Sequence, residues 1–267
     1  MSHIEVYQFP FDGENQSKTV SFYLPENWDC ANKTIPLLVM HDGHNLFFKS
    51  QSAFGETWKV KETLDELYQT TNQQLFVIGI AAPSIARFDE YSPFPLSCDP
   101  RYLSFQPDHL PGGKGNDYLK WIRLVILPFF LSKYPIDSKR IYMAGSSMGG
   151  FISLYAGYKY PNVFSKIGAF SPALWFADKA MTLFIDENHN RNTGIYLDVG
   201  TNETSNPQVS DFPDIYLSKA RQLYQLLKRK NTANLCYVEE VGGTHSEIAW
   251  ARRFPRFCQW LFEAKKY

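Results

Sequence analysis

Ser147 lies at the centre of a short glycine-bounded motif, Gly145-Ser146-Ser147-Met148-Gly149. The strand-like run 140–144 precedes the motif, and the apolar, helix-compatible run 150–157 follows it. In a G-x-S-x-G turn between a strand and a helix, the glycines let the flanking backbone pack closely and the serine Oγ projects at the C-terminal edge of a parallel sheet. The motif predicts that Ser147 is a nucleophile for acyl chemistry. Ser146 lies off its centre and is the weaker candidate.

A nucleophilic serine needs an acid and a histidine, which follow it in that chain order in this type of fold. His245 comes after the last predicted strand, and we predict that it lies on a flexible, glycine-bearing loop that reaches back to Ser147. Glu203 lies in the loop past a predicted strand and is the preferred acid, since it can orient the imidazole. Asp198, within that strand, and Asp214 remain alternatives.

Charge develops on the substrate carbonyl oxygen during acyl transfer, so two backbone N–H groups are expected as donors. Met148, directly after the nucleophile, supplies one. The second is predicted from His44, which follows the buried strand-like run 35–40.

Metal coordination by His41, Asp42 and His44 is a competing interpretation of the same loop, but three residues in one tight turn without a further His or Cys pair indicate a metal only weakly. The 112–115 segment, Gly-Gly-Lys-Gly, lacks the spacing of a phosphate-binding loop. We predict no cofactor and no metal.

Composition limits the classes of partner. Lys plus Arg (27) balances Asp plus Glu (27), so overall charge does not favour nucleic acid or an anionic membrane, and a small, roughly neutral substrate fits better. The N-terminus lacks an export signal and no run of about eighteen apolar residues occurs, which predicts a cytoplasmic protein without membrane spans. The four cysteines form no C-x-x-C pair and are expected to be reduced.

Strand-like and helix-like segments alternate along the 267 residues, which predicts a parallel sheet covered by helices on both faces and one domain spanning 1–267. The predicted strands are 19–24 (an edge strand), 35–40, 75–80, 141–144, 166–170, 195–199 and 235–239. The predicted helices, besides the one after the motif, are 55–68, 117–133 with a kink at Pro128, 214–228 and 247–264. Segment 83–115 is a long, proline-rich loop excursion of a kind that often shapes binding sites.

Six motifs together resemble one known family. They are 42–47 (DGHNLF), Arg87 with 90–93 (EYSP), 113–118 (GKGNDY), 144–150 (AGSSMGG), 171–175 (SPALW) and 200–203 (GTNE). In combination they look like the putative-esterase (esterase D-like) branch of the α/β hydrolases, which includes enterochelin-type siderophore esterases, feruloyl esterases and S-formylglutathione hydrolases. The resemblance extends from Thr19 to Phe262.

The resemblance implies an α/β-hydrolase fold with a mostly parallel central sheet. It also implies that Ser147 is the nucleophile, Glu203 the acid, His245 the base, and the amides of His44 and Met148 the oxyanion hole of a serine carboxylic-ester hydrolase. Relatives often carry Gln where this chain has His44, a change that a backbone donor tolerates. An acyltransferase and a non-catalytic binding protein on the same fold are the alternatives.

The sequence contains 16% aromatic residues, which suggests aromatic walls around a substrate pocket. We predict substrate contacts from Phe47, Arg87, Tyr91 and Trp175. The identity of the acyl and alcohol groups does not follow from the sequence.

Overall fold

The structure of the protein is a computed structural model, and the residues that it describes are 1–11, 16–30, 33–82, 85–188, 192–232 and 234–263. These residues form a sheet of eight strands in the spatial order β1-β2-β4-β3-β5-β6-β7-β8. The strands are β1 His3–Pro10, β2 Ser17–Leu24, β3 Ile35–His41, β4 Phe76–Ile80, β5 Ile136–Ser146, β6 Lys166–Phe170, β7 Gly194–Asn202 and β8 Leu235–Thr244.

The sheet is mostly parallel, as predicted. Strands β4, β3, β5, β6, β7 and β8 pair in parallel, whereas β2 is antiparallel to both β1 and β4. Parallel neighbours direct their C-terminal ends to one edge. The ends of β3, β5, β7 and β8, which precede the predicted site residues, therefore meet there.

Two sequence predictions about strands were wrong. Strand β2 is not the edge of the sheet, because β1 pairs along its whole length, from His3 opposite Leu24 to Pro10 opposite Ser17. Strand β8 continues to Thr244, so His245 comes directly after a paired strand and does not lie on the predicted flexible loop.

The described residues contain eight α-helices, of which seven lie between strands and the last follows β8. They are α1 Val60–Thr71, α2 Arg87–Glu90, α3 Gly115–Trp121, α4 Leu127–Lys133, α5 Met148–Lys159, α6 Asp178–Glu187, α7 Phe212–Arg229 and α8 Glu247–Phe262. Helix α1 begins later than predicted, because Lys59 adopts a left-handed conformation with φ of 52°. The predicted end of the last helix at 264 lies outside the described residues.

The irregularity predicted at Pro128 is present as a change of helix type. A π-helical segment, Ile122–Ile126, joins α3 to α4, and Pro128 lies in the first turn of α4. Proline has no N–H to donate to the preceding turn, so the regular α-helical pattern is interrupted before it.

Two hydrophobic clusters cover the two faces of the sheet. Leu37 and Val39 of β3 belong to the first cluster, and the alternating residues Leu38 and Met40 belong to the second. Side chains of a strand alternate between faces, so the clusters lie on opposite sides. The first also holds buried residues of α3, α4, α5 and α7, and the second those of α1 and α8. Helices thus cover both faces.

The excursion after β4 contains α2 and a bridge between Pro95 and Gly112. Its Pro83 and Ser84 lie outside the described residues. Buried Asp89 holds the segment together: its carboxylate accepts hydrogen bonds from the Gly112 N–H (2.8 Å) and His109 Nε2 (2.9 Å).

No described helix has the length and apolarity needed to cross a bilayer. The single-domain organisation and the cytoplasmic location stay predictions.

Candidate active site

The Ser147 turn has the geometry that its motif predicts. Ser147 lies between the end of β5 and the start of α5 with φ 55° and ψ −122°, a conformation that residues with a side chain rarely adopt. A Cβ on Gly145 would come within 2.9 Å of the Gly149 backbone, and one on Gly149 within 3.0 Å of the His41 Cβ. The two flanking glycines are therefore needed for the close approach of strand, helix and neighbouring loop.

Backbone hydrogen bonds fix this turn to the end of the adjacent strand β6. The Ser147 N–H donates to the Phe170 carbonyl (2.9 Å), and the Ala173 N–H donates to the Ser147 carbonyl (3.0 Å). Ser147 is half-buried, whereas Ser146 is the last residue of β5 and only 6% exposed. Of the two serines, Ser147 is the accessible one.

The structure brings Glu203 and His245 together. Glu203 follows β7 and His245 follows β8, and the two strands pair in parallel up to Asn202 and Thr244. Oε2 of Glu203 lies 2.7 Å from Nδ1 of His245. Because an ionised carboxylate only accepts, Nδ1 carries the proton, and a neutral imidazole then has its lone pair on Nε2.

The carboxylate of Glu203 is fully buried, and both of its oxygens have hydrogen-bond partners. Its Oε1 accepts hydrogen bonds from the Ser171 hydroxyl (2.5 Å) and the Gly200 N–H (2.8 Å), with Nη2 of Arg253 at 3.4 Å. Burial would raise the pKa of Glu203, but His245, Arg253 and Ser171 outweigh it and hold this pKa below its ordinary value. The group is therefore a carboxylate when it contacts the imidazole.

Asp198 and Asp214, the other acid candidates, are placed elsewhere. The carboxylate of Asp198 is buried, with its Oδ1 3.1 Å from Nη1 of Arg253. Burial raises the pKa of Asp198 against the attraction of Arg253. Asp214 lies in the first turn of α7. Of these three carboxylates, Glu203 is the one that contacts His245 in the described part of the chain.

His245 packs between two aromatic rings. Its ring centroid lies 4.9 Å from that of Tyr216 at a tilt of 45°, and 4.9 Å from that of Trp250 at 82°. Trp250 is itself fixed, because its Nε1 donates to the Ser171 hydroxyl (3.0 Å). The rings, together with Glu203, leave the imidazole little freedom to turn.

The predicted oxyanion donors lie in the first turn of α5 and in a short turn after β3. Met148 is the first residue of α5. The first hydrogen bond of this helix is donated by the Phe151 N–H to the Ser147 carbonyl (3.0 Å). The Met148 N–H therefore has no partner within the helix. His44 lies in the single turn Gly43–Asn45 after β3. A Cβ on Gly43 would come within 2.3 Å of the Gly79 backbone, so this loop needs glycine there.

Asp42 and His41, which precede His44, each have a protein partner. Asp42 accepts two hydrogen bonds from Arg87, at 3.0 and 2.8 Å, and Nδ1 of His41 lies 2.9 Å from the Tyr118 hydroxyl. Burial lowers the pKa of His44, opposed by the charge of Asp42. The described residues contain no group of three His, Cys, Asp or Glu side chains that could hold a metal ion.

The four predicted substrate contacts differ in accessibility. Tyr91 is fully buried and its hydroxyl accepts from the Asp42 N–H (3.1 Å), and Phe47 is 8% exposed within the cluster around α1. Tyr91 therefore supports the loop that carries His44. Trp175 is only 6% exposed and packs beside Tyr102 and Phe212, whereas Arg87 retains 22% side-chain exposure.

Sequence reasoning did not identify Arg253, Tyr216, Trp250 or Glu247. A signal for Arg253 was available, since it falls on the apolar stripe of α8 with Ala249, Trp250 and Phe257, and an arginine at such a position implies a buried acidic partner.

Glu247, at the start of α8, joins the His245 segment to the His44 loop. Its Oε1 accepts from Nδ2 of Asn45 (3.1 Å), and only 5% of the residue is exposed. Burial raises the pKa of Glu247 to about 7, and the charge of Asp42 acts in the same direction.

We expect stability to depend on pH through Glu247. The pKa of Glu247 is higher in the folded chain, about 7, than in the unfolded chain, 4.5. Glu247 therefore contributes stability at low pH, and this contribution is lost as the pH rises between these two values. Urea unfolding at pH 5 and pH 8 should show Glu247→Gln gaining stability relative to wild type at the higher pH, by ~3 kcal/mol at most. The exposed control Glu66→Gln should show no such gain. An equal difference at both pH values for Glu247→Gln would contradict this assignment.

Comparison with known proteins identifies the family. The sequence model of the Esterase family, described as "Putative esterase", matches residues 14–261. The chain belongs to this family. The esterase is also 28% identical over 251 residues to an uncharacterized Bacillus subtilis protein, YbbA, covering 92% of this chain and 93% of that protein. Family membership makes it a carboxylic-ester hydrolase.

Solved structures with low sequence identity share the fold of the esterase. A siderophore hydrolase, EstA from Aspergillus nidulans, matches with a TM-score of 0.77 at 18% identity, covering 97% of this chain and 95% of that one. An IroE-like serine hydrolase from Shewanella oneidensis matches with a TM-score of 0.75 at 17% identity, covering 96% of this chain and 79% of that one. The esterase has the α/β-hydrolase fold expected from its motifs.

Proposed function

We propose that the esterase is a serine carboxylic-ester hydrolase with Ser147, His245 and Glu203 as its catalytic triad. The observation that carries the proposal is the 2.7 Å contact between Glu203 and His245, which directly follow two neighbouring strands at the sheet edge where the Ser147 turn lies. This contact fixes the tautomer in which Nε2 is a base.

In the proposed acylation, Ser147 Oγ attacks the ester carbonyl carbon and His245 takes its proton. The bond from that carbon to the alcohol oxygen then breaks, and the leaving oxygen receives the proton from the imidazolium. Water repeats the sequence on the acyl-enzyme and releases the acid. The Met148 and His44 amides donate to the oxygen that carries negative charge, and Glu203 stabilises the imidazolium without taking its proton.

The substrate is proposed to be a small-molecule ester. The fold similarity to a siderophore hydrolase puts siderophore-type lactones first among the esters to test, followed by feruloyl esters, formyl thioesters and short p-nitrophenyl esters. Acyl transfer to an alcohol in place of water remains the second candidate, and it would show as ester exchange when the alcohol is added.

A fluorophosphonate probe tests the nucleophile directly. We expect the purified esterase to gain one probe per chain, on the peptide that contains Ser147, because the probe's phosphorus captures an activated serine oxygen. Ser147→Ala should abolish labelling, whereas the neighbouring control Ser146→Ala should retain it. A folded wild-type protein that stays unlabelled would favour a non-catalytic hydrolase-fold protein instead.

A further inference from the structure

Tyr216 of α7 is a buried tyrosine that contacts the proposed catalytic residues and that the mechanism above does not use. Its side chain is 2% exposed and its ring packs on the His245 imidazole at 4.9 Å. Its hydroxyl lies 2.5 Å from the Ser205 hydroxyl. The residue therefore has one end against the base and the other in a polar cluster.

The phenol oxygen has two polar groups beside it. The indole Nε1 of Trp175 is buried and completes no hydrogen bond within the described part of the chain, but it neighbours the Tyr216 hydroxyl. An indole N–H only donates, and the Ser205 hydroxyl can donate as well. When the Ser205 hydroxyl donates to its oxygen, the Tyr216 hydroxyl is free to donate its own proton toward Ser147.

The protonation state of Tyr216 agrees with a donor role. Burial raises the pKa of Tyr216 to about 12, and the Ser205 hydroxyl, the Trp175 indole and the Ser147 hydroxyl act against this rise. The phenol thus keeps its proton at neutral pH, and Ser147 is among the groups near enough to influence it.

The chemistry of acylation locates the atom that would accept this hydrogen bond. In the tetrahedral intermediate, the leaving oxygen shares its carbon with Ser147 Oγ and lies within reach of the imidazole that returns the proton. A hydroxyl near Ser147, on a ring that packs on the imidazole, lies beside that oxygen. The oxyanion donors, by contrast, come from α5 and the loop after β3.

We propose that Tyr216 is a further catalytic residue, which donates a hydrogen bond to the leaving alcohol oxygen as its bond to the acyl carbon breaks. The proposal rests on the proposed function. The proton that the alcohol finally carries comes from Ser147 through His245, and Tyr216 keeps its own proton throughout. Ser205 is a positioning residue for the phenol.

Three esters that share one acyl group test this role. They differ in how stable the leaving oxygen is as an anion, and therefore in how strongly its departure depends on a hydrogen-bond donor. With Tyr216→Phe, we expect kcat/KM for ethyl butyrate to fall by about 10- to 100-fold, the range for losing a hydrogen bond to a charged group. The loss should be smaller for phenyl butyrate and less than about threefold for p-nitrophenyl butyrate, whose leaving group is stable as an anion. Ser205→Ala should show the same order with smaller losses.

Tyr158→Phe is the matched control, since Tyr158 is a tyrosine of α5 that is also buried, with its hydroxyl near Thr232, and it should leave all three values unchanged. Equal losses for the three esters would show that Tyr216 only packs on His245 and would overturn the proposal, as would no loss at all. If Tyr216→Phe fails to fold, the order of losses in Ser205→Ala decides. Failure of the proposed function is a separate result, namely a wild-type protein that neither hydrolyses these esters nor takes the fluorophosphonate.

Discussion

Ser147→Ala is expected to lower kcat/KM for ester hydrolysis by about 10⁴-fold or more, because the change removes the only atom that forms the covalent bond to the acyl group. The purified variant should be assayed with p-nitrophenyl butyrate against wild type. Hydrolysis within about tenfold of wild type would end the proposal that Ser147 is the nucleophile.

The same position provides its own folding control. Alanine retains the Cβ that makes the backbone at φ 55° unfavourable, whereas glycine does not. Ser147→Gly should therefore be as inactive as Ser147→Ala but more stable, by ~1 kcal/mol in urea unfolding. Loss of activity together with this order of stabilities would separate a chemical defect from a folding defect.

His245→Ala should produce a loss similar to that of Ser147→Ala, since the two residues act in one proton transfer. The double variant should be no worse than either single variant, because groups that act as a unit do not have additive effects. A double variant much less active than both would show that the two residues work in different steps, and that Ser147 and His245 are the wrong pair.

The parts of the site that the sequence predicted are those held by local chain geometry. The Ser147 turn follows from glycines that lie within two residues of the serine, and Glu203 and His245 each follow a strand that an apolar run marks. The chain order of the three residues then sufficed to propose them together.

The parts that the sequence did not predict depend on contacts across the fold. Strand β1 has one buried residue, Phe9, so its pattern lacks a regular apolar face, and it is a strand because β2 offers an unpaired edge. Tyr216 lies on the buried stripe of α7 with Phe212, Ala220 and Leu223, where helical spacing alone cannot distinguish it from core residues. Its relation to His245 arises only when α7 packs beside the end of β8.

Glu203→Gln is expected to lower kcat by about 10³- to 10⁴-fold, because a neutral amide no longer fixes the proton on Nδ1 of His245 or stabilises the imidazolium. The comparison variant is Asp198→Asn, which changes a buried carboxylate of the same cluster that contacts Arg253 and not His245. We expect kcat of this variant to stay within about tenfold of wild type, because much larger losses are expected only for groups that act directly on the histidine.

Stability must be measured alongside activity for this pair, because both carboxylates share Arg253. Glu203 also accepts hydrogen bonds from the Ser171 hydroxyl and the Gly200 N–H, and the amide leaves at least one of its donors poorly paired, at a cost of about 1–3 kcal/mol. Activity should therefore be measured well below the melting temperature of each variant. Both variants remove a carboxylate that contacts Arg253, but only Glu203→Gln removes the negative charge that contacts the imidazole. Equal losses of stability with unequal losses of activity would therefore identify Glu203 as the acid. If Asp198→Asn were inactive and Glu203→Gln active, the catalytic acid would be Asp198 within strand β7. The 2.7 Å contact between Glu203 and His245 would then be structural.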